Sequence, residues 1–402
     1  MSVEQFTSIF AAPNYPYMKK LASIIFSCFA LGILHAQPQV LRTDQPVVKD
    51  QSVTFLLEAP HAKEVKVTGD FLKGKDMFGL GGELVMERDE GGRWSVTAKN
   101  LAPEFYYYYF LVDGVKTLDP WNISVVHNYK EHLNTFIIEG EESRPYTVAD
   151  KHKGSLSQIW YPSSVIGCER RANVYLPYGY SSDQSYPVLY LQHGGGDDEE
   201  TWVDMGRACQ ILDHLIDDGK AVPMIVVMPN SWDNQTASMN VVSPLTETPT
   251  IHLPEARNSE AFRSGGKWVD DLTNCLIPFI DAHYNVKPGK ENRALAGLSM
   301  GGLYTLYAAQ YHADLFSWWG VMGMGIEKNS DAQKILPPLQ DSSYRLLWIG
   351  CGNSDMAIGN AKRLIKALDK RQMPYVYYDS QDGHNWRSWR RDLLQFAPLL
   401  FK

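Results

Sequence analysis

Between residues 53 and 139 apolar and polar positions alternate in short bursts. VTFLLE (53–58), EVKVT (64–68), WSVTA (94–98), FYYYYFLV (105–112) and TFIIE (135–139) are rich in β-branched and aromatic residues, with Gly, Pro and Asp turns between them. This spacing predicts a two-sheet, immunoglobulin-like sandwich over residues 37–142. Successive side chains of a strand face opposite ways, so alternate rings of the aromatic run 105–110 must leave the sandwich core. They would either stack on sugars or pack against the rest of the chain, and packing is the preferred expectation.

At EESRPY (141–146) the period changes, and residues 141–165 read as a linker or an edge element. Residues 171–176, 187–192 and 224–228 are apolar strands, and between the last two, 205–218 places Ala208, Ile211, Leu212 and Leu215 at helical spacing. Helices are expected at 269–283, 303–310, 357–369 and 389–400, and strands at 293–296, 318–322, 346–349 and 375–378. Strands that alternate with helices predict an α/β domain over 155–402, with a mostly parallel sheet covered on both faces.

A chain of 402 residues, 44% hydrophobic, is long enough for two such units. Its net charge of -8, with no Lys/Arg run, speaks against a nucleic-acid partner, which requires a concentrated basic surface. Lys19 and Lys20, the apolar stretch 21–34 and Ala36 before Gln37 have the form of an internal secretion signal, making residues 1–36 an upstream extension plus signal peptide. The apolar stretch is short of the ~20 residues a spanning helix needs, so a secreted or periplasmic location is expected, without stable membrane insertion after signal cleavage. Signal removal takes Cys28 and leaves Cys168, Cys209, Cys275 and Cys351, which allow three disulfide pairings or can stay as buried thiols. Their spacing is unlike a zinc site, and neither a metal nor a cofactor is expected.

Candidate chemistry enters with AGLSMGG (296–302). Ser299 follows an apolar strand and precedes a helix, and the glycines at 297, 301 and 302 permit the tight turn that lifts its hydroxyl into solvent. The helix behind it aims N–H groups at the same space. A serine hydroxyl needs a base at neutral pH, and only His312 and His384 lie downstream. His312, in YHADLF, reads as a solvated or capping residue, whereas His384, in DSQDGHNWRSW, sits in a loop between a strand and the last helix. Asp355, in LLWIGCGNSDMA, is preferred as the acid that orients the imidazole; Asp379 and Asp382 share the histidine's own strand end or loop and read as loop or cap residues. His193-Gly194-Gly195-Gly196 follows a strand directly, so the N–H of Gly194 or Gly195, with that of Met300, would form a two-donor oxyanion hole. His193 precedes Ser299 and reads as non-catalytic. Trp202, Trp232 and Trp386 are candidates to line a substrate pocket.

GGRWSVTAKNLAPEFYYYYFLVDGVKTLDPWN (91–122) resembles the β-sandwich modules that precede the catalytic domains of glycogen-branching enzymes and of many secreted esterases. QHGGGDDEETW, GRACQILDHLIDDGKAVPMIVVMPN, LIPFIDAHYNV, RALAGLSMGG, LFSWWG, GCGNSD and GHNWRSWR together are similar to the esterase D-like branch of the α/β-hydrolases, above all to the family-one carbohydrate esterases, the feruloyl and acetylxylan esterases. The resemblance implies an α/β-hydrolase fold, Ser299 as nucleophile, His384 as base, Asp355 as acid, and Gly194 or Gly195 with Met300 as oxyanion donors. It implies a secreted serine carboxylesterase acting through an acyl-enzyme on feruloyl or acetyl esters of plant polysaccharides or oligosaccharides, an ester-decorated carbohydrate being the partner. A siderophore (enterochelin-like) esterase and a triad acyltransferase are the alternative enzymes, and a non-catalytic carbohydrate-binding protein the alternative outside catalysis. Residues 233–267 are longer than this family leads one to expect, and a loop of that length could shape the acyl or leaving-group pocket.

Overall fold

Ten short strands occupy the first part of the described chain: β1 (Val47–Lys49), β2 (Ser52–Glu58), β3 (Val65–Gly69), β4 (Glu83–Val85), β5 (Glu87–Arg88), β6 (Arg93–Ala98), β7 (Glu104–Val112), β8 (Val115–Thr117), β9 (Val125–Asn128) and β10 (Glu131–Ile138). The computed structural model describes residues 46–72, 82–128, 131–232, 267–380 and 382–402. The expected signal peptide and the 233–266 stretch lie outside the described residues. The strands form two sheets, ordered β1-β2-β6-β5 and β4-β3-β7-β10-β9, with β8 paired to β7. All five expected strands are present within a few residues of their predicted bounds. The unpredicted ones have two to four residues, too few for a period to show.

Strand β7 is buried on both faces. Tyr106, Tyr108 and Phe110 fill the sandwich core with Val53, Phe55 and Phe136. Phe105 and Tyr107 point the other way, 3% and 2% exposed, into a cluster that includes Leu189, Met205, Trp386 and Trp389 of the second half. The packing alternative therefore holds for these rings, and the sugar-stacking one is overturned: a face that buries two large aromatics this completely presents no platform.

The stretch after the sandwich runs through a short 3-10 turn (Arg144–Tyr146) to the edge strand of the next sheet, and it is fastened to that second half. Tyr146 is buried, its carbonyl accepts from Arg207 Nε at 3.0 Å, and Arg144 pairs with Asp218 at 3.1 Å. An eight-stranded sheet follows, with β11 (Ser155–Ser163), β12 (Cys168–Leu176), β13 (Val188–Gln192), β14 (Ile225–Pro229), β15 (Arg293–Leu298), β16 (Trp318–Met322), β17 (Leu346–Gly350) and β18 (Val376–Tyr378). Their order is β11-β12-β14-β13-β15-β16-β17-β18. Strands β11 and β12, and β12 and β14, pair antiparallel; every other pair is parallel.

Around the sheet lie α1 (Thr201–Asp204), α2 (Ala208–Asp217), α3 (Trp268–Asp271), a π-helical turn (Leu272–Leu276), α4 (Ile277–His283), α5 (Met300–Tyr311), α6 (Asn329–Asp341), α7 (Ile358–Arg371) and α8 (Trp386–Phe396). Alternate residues of β13 serve two cores. Val188 and Tyr190 pack with α3 to α7, while Leu189 and Leu191 pack with α1, α2 and α8. Sequence patterning did not anticipate α6, because Pro337 and Pro338 lie inside it. Its buried Ala332, Ile335, Leu336 and Leu339 keep the helical stripe through the prolines. Among the described residues the four cysteines other than Cys28 are free thiols.

The sandwich grips the last helix. Glu104, 3% exposed at the start of β7, accepts from Arg390 Nη2 at 3.0 Å and lies 3.5 Å from Arg387 Nε and 3.7 Å from Arg391 Nη2. Arg390 is fully buried and donates also to the carbonyls of Met205 and Phe105, both at 2.9 Å. Asp70, pushed up to about 6 by burial against the opposing pull of Arg387, makes a longer ion pair with that arginine at 3.7 Å. Losing the carboxylate strands a guanidinium in the interior, and broken buried pairs of this kind cost several kcal/mol. Glu104→Gln is expected to destabilise the fold by about 3 kcal/mol, read as a lowered urea midpoint; an unchanged midpoint would show that α8 does not need this contact.

Candidate active site

Ser299 stands between β15 and α5 with φ 49° and ψ -114°, a backbone region that L-residues enter only under strain. Two bonds hold it there: its N–H donates to Met322 O at 2.8 Å, and its carbonyl accepts from Leu303 N at 3.0 Å. The sharp turn is possible because Gly301 lets α5 lie against the end of β13. A β-carbon at Gly301 would stand 2.5 Å from His193 O. Met300 is the first residue of α5, so its N–H has no acceptor within the helix.

Ser299 Oγ lies 2.8 Å from His384 Nε2, and His384 Nδ1 lies 2.9 Å from Asp355 Oδ1. Asp355 is an acceptor, so Nδ1 carries the imidazole proton and Nε2 is free to accept from the serine hydroxyl. The same carboxyl oxygen accepts from Ala357 N at 2.7 Å, which ties it to the turn before α7. His384 and Asp355 are both nearly buried, at 4% and 3% exposed. The next residue, Asn385, caps α8 by accepting from Ser388 N at 3.1 Å, so the imidazole enters from a fixed helix start. Trp389, one turn on, presents its ring edge-on to His384, with centroids 5.0 Å apart.

The structure thus brings Ser299, His384 and Asp355 together, and leaves their competitors elsewhere. His312 caps the far end of α5. Asp379 bonds Asn353, and Asp382 pairs with Arg391. Gly194 and Gly195 lie beside Ser299 and Met300: a β-carbon on Gly194 would be 3.5 Å from Ser299 Cβ, and one on Gly195 would be 3.9 Å from Met300 Cβ.

The three tryptophans are a correction. Trp202, Trp232 and Trp386 are 1%, 6% and 1% exposed, and they serve as core. Trp202 and Trp386 stand edge to face at 5.3 Å, and the indole N–H groups of Trp202 and Trp232 are taken by the carbonyls of Gln192 and Asp197. Proximity to the motifs in sequence meant that these rings support the loops from beneath. One contributor had no sequence signal. Gly323, with φ 56°, passes so close to Asp355 and His384 that a β-carbon there would lie 3.1 Å from Asp355 Oδ2 and 3.4 Å from His384 Nδ1.

A mostly parallel sheet covered on both faces, with a serine on its strand-to-helix turn, defines an α/β-hydrolase fold, here preceded by an all-β module. The Esterase family profile matches residues 163–400, and that of carbohydrate-binding module 48 (isoamylase N-terminal domain) matches 41–123. The chain belongs to the Esterase family. An endo-1,4-β-xylanase/feruloyl esterase of Xylanibacter ruminicola is 31% identical over 379 residues, 89% of this chain and 46% of that protein. The chain spans about half or less of the length of the first curated relatives it matches. Among solved structures, a ferulic acid esterase of Anaeromyces mucronatus in complex with ferulic acid shares the fold with TM-score 0.53 and 21% identity, over 65% of this chain and 96% of that one. The enterobactin esterase of Shigella flexneri aligns with TM-score 0.59 and 15% identity, over 86% of this chain and 92% of its own.

Behind Asp355 lies Asp392, fully buried on α8, and among the described residues neither of its carboxyl oxygens has a hydrogen-bond partner. Burial, and then the charge of Asp355, push it well above the usual carboxylate range. A folded chain that keeps this proton loses stability as pH rises above about 3.9, where the unfolded aspartate releases it. Asp392→Asn removes that penalty. Its melting temperature is expected to exceed the parent's by several degrees at pH 7 to 8, and the gap to close toward pH 4; a gap that does not change with pH would contradict this protonation state.

Proposed function

We propose that this chain is an exported serine carboxylesterase that removes feruloyl or acetyl groups from ester-decorated plant polysaccharides or oligosaccharides. The observation that carries this reading is the continuous relay from Asp355 through His384 to Ser299 Oγ, at 2.9 and 2.8 Å. In the proposed reaction Ser299 Oγ attacks the ester carbonyl carbon while His384 Nε2 takes the hydroxyl proton. The tetrahedral oxyanion is met by the N–H of Met300 and one from the Gly194–Gly195 segment. Collapse breaks the bond to the leaving alcohol, which receives the proton from His384 and leaves an acyl-serine. Water then attacks that ester with His384 as base, and the carboxylic acid departs with Ser299 restored.

The likeness to a xylanase/feruloyl esterase supports the choice of acyl group and carbohydrate. Export is supported by the basic, apolar and small-residue order at 18–36. Among the described residues no helix is long and apolar enough to cross a membrane. A second reading, cleavage of a catecholate trilactone siderophore, is supported by the two-part fold shared with the enterobactin esterase over 86% of the chain.

Parallel assays on methyl ferulate, acetylated xylooligosaccharide and a catecholate trilactone separate the two readings. Preference for methyl ferulate or the acetylated sugar is expected, and preference for the trilactone would replace the first reading by the second. Ser299→Ala is expected to lower kcat by about 10^4-fold or more with the fold intact by circular dichroism; turnover that survives it would refute the acyl-enzyme route.

A further inference from the structure

His193 plays no part in the relay, yet it is 1% exposed and both ring nitrogens are engaged at hydrogen-bond distance. Nε2 is 2.8 Å from the backbone nitrogen of Ser231, which can only donate, so Nε2 carries no proton. The proton is therefore on Nδ1, and it is given to Gly194 O at 2.8 Å. The tautomer is fixed by its surroundings. Burial pushes the ring down to about 4, so it is neutral wherever an esterase with a histidine base would be assayed.

The bond constrains more than a carbonyl. In a planar trans peptide the C=O of Gly194 and the N–H of Gly195 point in opposite directions. With the carbonyl held against the His193 ring, the Gly195 N–H is turned away from it. Ser299 and Met300 adjoin this segment: β-carbons on Gly194 and Gly195 would lie 3.5 Å from Ser299 Cβ and 3.9 Å from Met300 Cβ. Reversal of this peptide would replace a donor with a carbonyl oxygen, which repels the developing oxyanion. Asp197 N–H also reaches Gly194 O, at 3.4 Å, and is the weaker restraint. On the other side of the ring, Ser231 continues directly from β14, so His193 ties the glycine loop to the sheet.

We infer that His193 is a positioning residue for the oxyanion hole: its Nδ1–H, held by the Ser231 N–H at Nε2, sets the Gly194–Gly195 peptide so that the Gly195 N–H, rather than a carbonyl, faces the space beside Ser299. This rests on the proposed acyl-transfer reading, and it selects Gly195 as the second donor where the sequence left Gly194 and Gly195 open.

Two near-isosteric variants separate positioning from packing. In His193→Asn the side-chain amide can take the place of Nδ1 and donate to Gly194 O. In His193→Gln the longer amide reaches the Ser231 side and leaves that carbonyl without its short donor. With 4-nitrophenyl acetate and methyl ferulate, His193→Gln and His193→Ala are expected to lose about 10^2-fold in kcat with KM within about twofold, and His193→Asn to recover most of it. Affinity for phenylboronic acid, which forms a tetrahedral adduct on a serine oxygen, is expected to fall in step with kcat. Full kcat in His193→Ala would overturn the inference, as would equal losses in the Asn and Gln variants that follow their melting temperatures. Ser299→Ala run alongside keeps the two levels apart. If it retains turnover, the proposed function fails; if it is inactive while His193→Ala is fully active, only the role of His193 fails.

Discussion

A neutral imidazole can accept a proton from serine only if the nitrogen facing the hydroxyl carries none, and in the proposed reaction that depends on the bond from His384 Nδ1 to Asp355 Oδ1 at 2.9 Å. Remove it and the ring is free to turn or to change tautomer, and the 2.8 Å approach of Nε2 to Ser299 Oγ loses its meaning. Much of the surrounding architecture holds the three ends of this bond chain. Ser299 is kept at a strained φ of 49° by its N–H bond to Met322, in the neighbouring strand, and by the Leu303 N–H at its carbonyl. Asp355 is kept by the turn into α7, and His384 by the capped start of α8. Such strain costs on the order of 1–3 kcal/mol and persists where the neighbours over-determine it.

Helix α8 shows how far that over-determination reaches. Its inner face packs Trp386, Trp389, Leu393 and Phe396 into the core, and its arginines meet carboxylates of the sandwich at Glu104 and Asp70. His384 is thus positioned from two sides, by the hydrolase sheet and by the β-module. A second tie reaches the glycine loop, where His127 of β9 meets both oxygens of Asp198 at 2.9 and 3.0 Å. That bond raises the histidine, and, against the opposing effect of burial, lowers the aspartate.

Periodic segments were legible in advance and singular contacts were not. β13 could be read because four apolar residues in a row (188–191) have few other uses in an α/β chain. The place of Ser299 could be read because a tight turn needs its glycines, and those of His384 and Asp355 because chain order restricts the choice. By contrast, α6 was hidden by two prolines, which argue locally against the helix that tertiary packing imposes. Gly323 has its effect through space, beside residues 32 and 61 positions away in sequence, and no pattern within the chain announces it. The tryptophans were misplaced because a ring near a motif in sequence can lie below the site as easily as beside it; only burial decides.

The aromatic run of β7 carries the last step. Sequence alone left its outward rings two uses, and in the structure Phe105 and Tyr107 lie against the second half of the chain while Arg207 and Arg390 stand 5.2 and 5.3 Å over the Phe105 ring. A module tethered by a flexible linker could seek a polysaccharide independently of the catalytic half. This one cannot: its outward aromatic face is spent on packing, its carboxylates hold the helix that follows His384, and the connecting segment is pinned at Arg144 and Tyr146. The sandwich is thereby fixed in one orientation relative to the helix that carries His384.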